Sequence, residues 1–310
     1  FGGGGVAKLV PPASNSQRNG SEGTPKWTVF YASNSGLPEN YVRSVAVDKK
    51  GNLWAGTEYS GITMFDGSNW TVYNTSNSGL PVNYVKSICA DEKGNTWIGT
   101  FGGGVVKLTL SGSEGLPKWT IYNTSNSGIA GDIIGAINID QKGIVWIGTY
   151  EGGLAGFDPE KSNQSWVVYN TSNSMLPNNR IKSIAFNKKG NIWLGTNGGL
   201  VTFAPGESKS WKVYDQSNSG LPDNKVWAVA IDQDDNIWIG TDKGGIAKFV
   251  PSVSEGPPGE KAEISKEATW TIYNKKSKTG LAVNTVVSIA IDSRGYKWVG
   301  TYGGGVAVFK

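Results

Sequence analysis

The chain has 310 residues, among them 44 glycines, 13 tryptophans and 12 tyrosines, and 29 Lys and Arg against 25 Asp and Glu give a net charge of +4. With 38% apolar residues it is no disordered chain, and its single cysteine, Cys89, excludes an internal disulfide framework. Histidine is absent, which removes the commonest general base and metal ligand together with every Ser-His or Cys-His device.

No apolar run reaches the length of a membrane span. The basic residues are scattered, so a nucleic-acid footprint is weak. Phe1 falls inside a repeat rather than at an initiator Met, which leads us to expect a processed product or an excerpt.

In chain order, the predicted elements begin with a strand in FGGGGVAKL and a second in WTVF at Trp27. From there a unit recurs. Trp-x-Gly-Thr begins at Trp54, Trp97, Trp146, Trp193, Trp238 and Trp298, and a second tryptophan column runs through Trp27, Trp70, Trp119, Trp166, Trp211 and Trp270. The interval from the second column to the next Trp-x-Gly-Thr is 27 residues five times and 28 once, whereas the return interval runs 16, 22, 20, 18 and 32. One half of the repeat is therefore fixed in length and the other absorbs the insertions.

Each unit divides into four short strands. Strand A is typified by Val226–Asp232 and is followed by an Asp-x-x-Gly-Asn turn; strand B is typified by Asn191–Thr196. A glycine cluster leads into strand C (Gly103–Leu108), and strand D (Trp70–Asn74) is joined to the next strand A by SNSGLPxN. Helical periodicity appears nowhere. Four antiparallel strands per unit predict an all-β fold, a six-bladed β-propeller over 1–310 as a single domain. The strand inventory holds six A, six B, six D and seven C strands, so closure is expected by pairing of N- and C-terminal strands, with one C strand in surplus. That surplus strand offers a route to a homo-oligomer or assembly.

The string V-x-S-I-A-x-D-x-x-G-N-x-W-x-G-T-x-x-G-G-x-x-x-F resembles the two-component regulator propeller repeat, and streptogramin lyase-like propellers are similar. The resemblance implies a sensor-type propeller, of the kind found in periplasmic halves of bacterial hybrid receptors. Within these 310 residues no membrane helix, kinase or second propeller is expected.

Both tryptophan columns are expected to be structural, because large aromatics at fixed strand positions pack blade on blade. Trp227 breaks the pattern. It stands where other repeats have Arg43, Lys86, Gly135, Lys182 and Val287, and two positions earlier the column reads Tyr41, Tyr84, Ile133, Arg180, Lys225 and Thr285. The residues just after Gly-Thr form a matching set, Glu58, Phe101, Tyr150, Asn197, Asp242 and Tyr302. In a meander the D–A and B–C loops leave the same face, so these columns are expected at one mouth of the channel. The candidate ligand site is Tyr41, Arg43, Glu58, Tyr84, Lys86, Phe101, Tyr150, Arg180, Lys182, Trp227, Asp242 and Tyr302.

Clusters such as Gly102–Gly104 join two strands rather than opening a helix, so they are turns and not phosphate cradles. The Asp-x-x-Gly-Asn segments lack the ligand series of a calcium loop; only Asp232, Asp234 and Asp235 concentrate charge, weakly. No cofactor, metal or catalytic residue is assigned. Asn19, Asn69, Asn74, Asn123, Asn163 and Asn170 open Asn-x-Ser/Thr sequons, which suit turns and would carry glycans only in an exported protein. The expected function is an exported module, periplasmic, extracellular or at the cell surface, that binds a small molecule, glycan, peptide or partner protein, without nucleic acid or membrane insertion. The alternatives are a structural subunit of an extracellular assembly, and a lyase-like enzyme using Asp, Glu, Tyr or Lys.

Overall fold

Short runs of β-branched and aromatic residues punctuated by glycine and asparagine favour strands joined by tight turns, and the computed structural model is built of little else. It describes residues 3–10, 26–110, 116–161, 165–255, 263–277 and 281–309, with no helix among them. The architecture is all-β, a six-bladed propeller of antiparallel blades, as the repeat arithmetic predicts.

The chain divides into two compact units: Phe1–Asn123 with Asp132–Ile134, and Thr124–Gly131 with Gly135–Lys310. The first unit begins with the pair β1 (Val6–Val10) and β2 (Lys26–Phe30). Blade 1 follows as β3 (Val42–Val47), β4 (Leu53–Thr57), β5 (Ile62–Phe65) and β6 (Trp70–Tyr73). Blade 2 is β7 (Val85–Ala90), β8 (Asn95–Thr100), β9 (Val105–Thr109) and β10 (Lys118–Tyr122). The second unit carries most of blade 3, namely β11 (Ile134–Ile139), β12 (Val145–Thr149), β13 (Leu154–Phe157) and β14 (Val167–Tyr169). Blade 4 is β15 (Ile181–Phe186), β16 (Ile192–Thr196), β17 (Gly199–Phe203) and β18 (Lys212–Tyr214). Blade 5 is β19 (Val226–Ile231), β20 (Ile237–Thr241), β21 (Ile246–Val250) and β24 (Thr269–Tyr273). Its longest insertion holds the extra hairpin β22 (Val253–Glu255) and β23 (Glu263–Lys266). The last strands are β25 (Val286–Ile291), β26 (Lys297–Thr301) and β27 (Gly305–Phe309).

Strand order within each blade is A-B-C-D, every neighbour antiparallel. The ends of the chain depart from the expected closure. β1 ladders with β2, and β25, β26 and β27 form a three-stranded sheet; no ladder between chain ends is among the described registers. The cause is the seventh C strand: β27 is itself a C strand, so it fills the place beside β26 that β1 was expected to take.

Both tryptophan columns are structural. Trp54 and Trp97 are fully buried, and Trp54 packs with Leu80, Val85, Ile88 and Ile98 between blades 1 and 2. Trp70, Trp166, Trp211 and Trp270 of the outer column lie flat on a C-strand phenylalanine, for instance Phe203–Trp211 at 3.9 Å and 2° and Phe157–Trp166 at 4.1 Å and 20°, whereas Trp119 and Trp27 stand opposite Leu108 and Leu9. The glycine of SNSGLP is a close-approach residue. A Cβ on Gly36, Gly79, Gly128 or Gly220 would lie 2.4, 2.5, 2.5 or 2.6 Å from Trp70, Trp119, Trp166 or Trp270 respectively.

The Asp-x-x-Gly-Asn turn is also structural. In blade 2, Asp91 Oδ1 accepts the backbone N–H of Lys93 and Asn95, while Oδ2 accepts Asn95 Nδ2 at 2.7 Å and Trp97 Nε1 at 3.0 Å. Asp232 uses its two oxygens in the same way, with Trp238 Nε1 at 2.9 Å. Burial alone would raise the carboxyls of Asp48, Asp91 and Asp232, but the indole and amide donors outweigh it and hold all three below the ordinary range. Asp292 is held at about 2 against the same opposing effect of burial, by Tyr296 N–H, Arg294 and Trp298. A carboxyl depressed in the folded state stabilises above its unfolded pKa of about 3.9, and that contribution is lost as pH falls through the folded value. The melting temperature should therefore be insensitive to these groups near neutrality and drop below about pH 4. Circular dichroism melts across that range check this.

Blade 4 breaks the rule, because Asn187 replaces the aspartate. Its Oδ1 still accepts Asn191 N–H at 2.9 Å, which leaves an amide NH₂ where other blades present the second oxygen, and Trp193 Nε1 is buried without a partner. Asn187→Asp should restore that acceptor and stabilise the protein by about 1–2 kcal/mol in denaturant titration. No gain would show that the indole is already satisfied.

Candidate functional site

The inner strands do not simply continue the ladder at their first residues. In blades 1, 2, 4 and 5 and at β25 the A–B register slips between Val42 and Ser44, Val85 and Ser87, Ile181 and Ser183, Val226 and Ala228, and Val286 and Ser288. The skipped residue is Arg43, Lys86, Lys182, Trp227 or Val287, the column singled out by its variability. A bulge re-aims the residue it leaves unpaired and is common beside binding sites.

The other two columns meet at the same strand end. Backbone N–H of Glu58 donates to Tyr41 C=O, Phe101 to Tyr84, Asp242 to Lys225 and Tyr302 to Thr285, at 2.9–3.0 Å. In these four repeats the first residue of the B–C loop is thereby clasped to the residue that enters strand A.

In the first unit, Arg43 pairs with Glu58, whose other oxygen accepts Tyr59 Oη at 3.1 Å. Tyr41 meets Tyr59 edge-on at 6.1 Å, and Tyr84 stacks on Phe101 at 4.9 Å and 20°. Tyr41 and Phe101 are exposed, while Tyr84 and Lys86 are half-buried. Burial, then the neighbouring Arg43, push the Lys86 ammonium below its ordinary pKa, with Glu58 opposing. Burial raises the Tyr84 phenol.

In the second unit, Lys182 Nζ stands 3.3 Å from the centroid of the Trp227 ring, and Trp227 Nε1 donates to Asp242 Oδ1 at 3.1 Å. Lys225 pairs with Asp242 at 3.7 Å. Arg180 lies over Tyr150 at 4.6 Å, a second cation–π contact. Tyr302 is exposed. The twelve candidates therefore divide six to each unit; in the second, Lys182, Trp227 and Asp242 form one set and Arg180 with Tyr150 another. Tyr59 joins the first group although sequence reasoning missed it; its only signal was its position beside Glu58.

A concavity of about 560 Å³ in the second unit, bordered by Tyr169, Met175, Glu207 and Trp211, contains none of these columns. It lies where Met175 replaces the close-packing glycine of SNSGLP. The bulged strand ends are the better candidate site, since their residues differ between repeats while their backbone geometry recurs. Among the described residues no group of three or more His, Cys, Asp or Glu is placed to hold a metal. Asn74 and Asn170 turn their side-chain oxygens onto Ser76 and Ser172 N–H within their own loops, as turn residues do. Asn19 and Asn163 lie outside the described residues.

The family model described as "Two component regulator propeller" matches residues 36–59, 79–102, 175–198 and 220–243, the D–A loop through strand B of four repeats. Comparison with curated proteins finds no match. Among solved structures the chain is similar to the extracellular domain of a hybrid two component system from B. thetaiotaomicron, at 26% identity and TM-score 0.73. That match covers 92% of this chain and 35% of the other, so the chain spans about a third of that structure. It is similar in fold to PorZ from Porphyromonas gingivalis, at 16% identity and TM-score 0.64, covering 87% and 38% of the two chains. The fold likewise resembles virginiamycin B lyase from Staphylococcus aureus, at 13% identity and TM-score 0.60, covering 87% and 84%. The resemblance read from the repeats is borne out as a resemblance: four repeats of this all-β propeller match the two component regulator propeller model.

Proposed function

We propose that the chain is a ligand-binding module of sensor type, exported to the periplasm or cell surface, and that it takes a glycan, peptide or partner protein at the bulged ends of its inner strands. One observation carries the reading. The bulge recurs wherever the A–B register is described in blades 1, 2, 4 and 5 and at β25, yet the residue it presents changes from Arg to Lys to Trp to Val. A purely structural position would repeat its residue as the tryptophan columns do. Aromatic rings interleaved with a few charges are the surface that recognition of a polar ligand requires.

Location is supported by the similar structures, two of which are described as an extracellular domain of a two component system and as a surface component of the type-IX secretion system. The lyase reading is less favoured. A variant of the Staphylococcus enzyme with one histidine replaced by alanine is described as catalytically inactive, and this chain has no histidine.

The test is a panel of glycans, peptides and small molecules screened by calorimetry against the chain and its Tyr84→Ala and Trp227→Ala variants. Saturable binding weakened about ten-fold or more in a variant of unchanged melting temperature is expected, the scale of one lost aromatic contact. Ligands bound equally well by both variants would place recognition elsewhere.

A further inference from the structure

The second unit's charged candidates find partners among themselves: Lys182 on the Trp227 face, Lys225 on Asp242, Arg180 on Tyr150. The first unit does not close its account in this way. Arg43 takes Glu58, Glu58 also takes Tyr59, and Glu39 turns to the backbone N–H of Tyr59 and Ser60 at 2.6 and 3.2 Å. Lys86 has no hydrogen bond or ion pair among the described residues, although it is half-buried.

Lys86 occupies in blade 2 the bulge position that Arg43 occupies in blade 1, and the two inner strands are adjacent, Ile88 N–H donating to Ser44 Oγ at 3.0 Å. Side chains at this position on consecutive strands do reach one another, as Lys182 reaches Trp227. Two cations therefore face one carboxylate within electrostatic reach, with Tyr84, stacked on Phe101, beside Arg43 and Glu58. An ammonium that is partly desolvated, beside a second cation that already holds the one nearby carboxylate in an ion pair, is a site in want of an anion.

On the binding reading given above, we propose that Lys86, backed by Arg43, is the anion-holding subsite of the ligand site, receiving an oxyanion of the ligand. A carboxylate and a phosphate or sulfate ester share this chemistry. Arg43, held by Glu58, offers its remaining N–H groups, and the Lys86 ammonium offers three donors.

The test uses the full chain with 13C-labelled lysine, titrated separately with sodium acetate and inorganic phosphate at constant ionic strength while the lysine Cε resonances are followed. Lys86, assigned by its loss in Lys86→Met, should shift saturably in the millimolar range, and its pKa should rise in the presence of the anion. Other lysines should respond only linearly. Arg43→Gln should weaken the effect about five- to ten-fold. Saturation by acetate points to a carboxylate ligand; saturation by phosphate alone points to a phosphate or sulfate ester. A Lys86 resonance that behaves like every other lysine with both anions overturns the subsite. If Lys86 saturates but the Tyr84→Ala and Trp227→Ala variants bind all panel ligands unchanged, the subsite stands and the binding reading falls.

Discussion

Replacing Asp91 by alanine is expected to destabilise the protein by about 3 kcal/mol, the scale for removing hydrogen bonds to a charged group and orphaning a buried donor. The carboxylate is the hub of the blade 2 turn. It takes two backbone N–H groups, the Asn95 amide and the Trp97 indole, and Trp97 is fully buried, so its Nε1 would have no water to turn to. Asp91→Asn should cost less, since one oxygen survives; blade 4 shows that state naturally at Asn187. Guanidinium unfolding of the two variants beside Asn187→Asp puts the three on one scale. A loss under about 0.5 kcal/mol for Asp91→Ala, the range of ordinary surface changes, would deny the turn its role.

The second large effect is expected from a single methyl group. Gly79→Ala would set a Cβ 2.5 Å from Trp119 Cβ and 2.6 Å from its Cγ, both close to the backbone and unable to swing away. Overpacking of this kind costs about 1–3 kcal/mol, and Gly79→Val should exceed it. Gly4 is the control, with nothing within 4 Å of its would-be Cβ. In the fourth repeat the equivalent residue is Met175, which is 58% exposed and so is not enclosed as the glycines are. Met175→Gly is accordingly expected to leave stability almost unchanged. Thermal melts of the four variants decide the matter, and equal melting temperatures for Gly79→Ala and Gly4→Ala would contradict the packing account.

What the sequence made legible was whatever recurs at fixed spacing. The tryptophan columns, the aspartate turn and the A-B-C-D order all follow from side chains that must repeat because they pack against copies of themselves. The structure placed the strands within a residue or two; strand C begins at Val105 rather than Gly103, since Gly104 takes a positive φ of 76° in the turn.

Three features were not legible, each for a physical reason. The bulge demands no particular side chain, so Arg43, Lys86, Lys182, Trp227 and Val287 gave a variable column but no sign that the backbone skips there. The seat of the surplus C strand was not legible because β1 and β27 are both C strands, and a strand inventory cannot tell which of them pairs with β26. Lys182 over Trp227 joins residues a whole repeat apart, a contact that the column alignment suggests but whose 3.3 Å approach needs the fold. Tyr41, Tyr84 and Phe101 were found because aromatic residues stood at the strand ends; Tyr59 was not, because it lies one residue past its column.

The most direct test of the central claim, that the bulged inner-strand ends are the recognition surface, is hydrogen exchange of the full chain with and without the tightest ligand from the panel. Slowed exchange is expected in 41–44, 58–60, 84–87 and 101–103 of the first unit, or in 150–152, 180–183, 225–228 and 242–244 of the second, with the outer strands β6, β10, β14 and β18 unaffected. Protection confined to those outer strands, or to the loop around Met175 and Trp211, would contradict it.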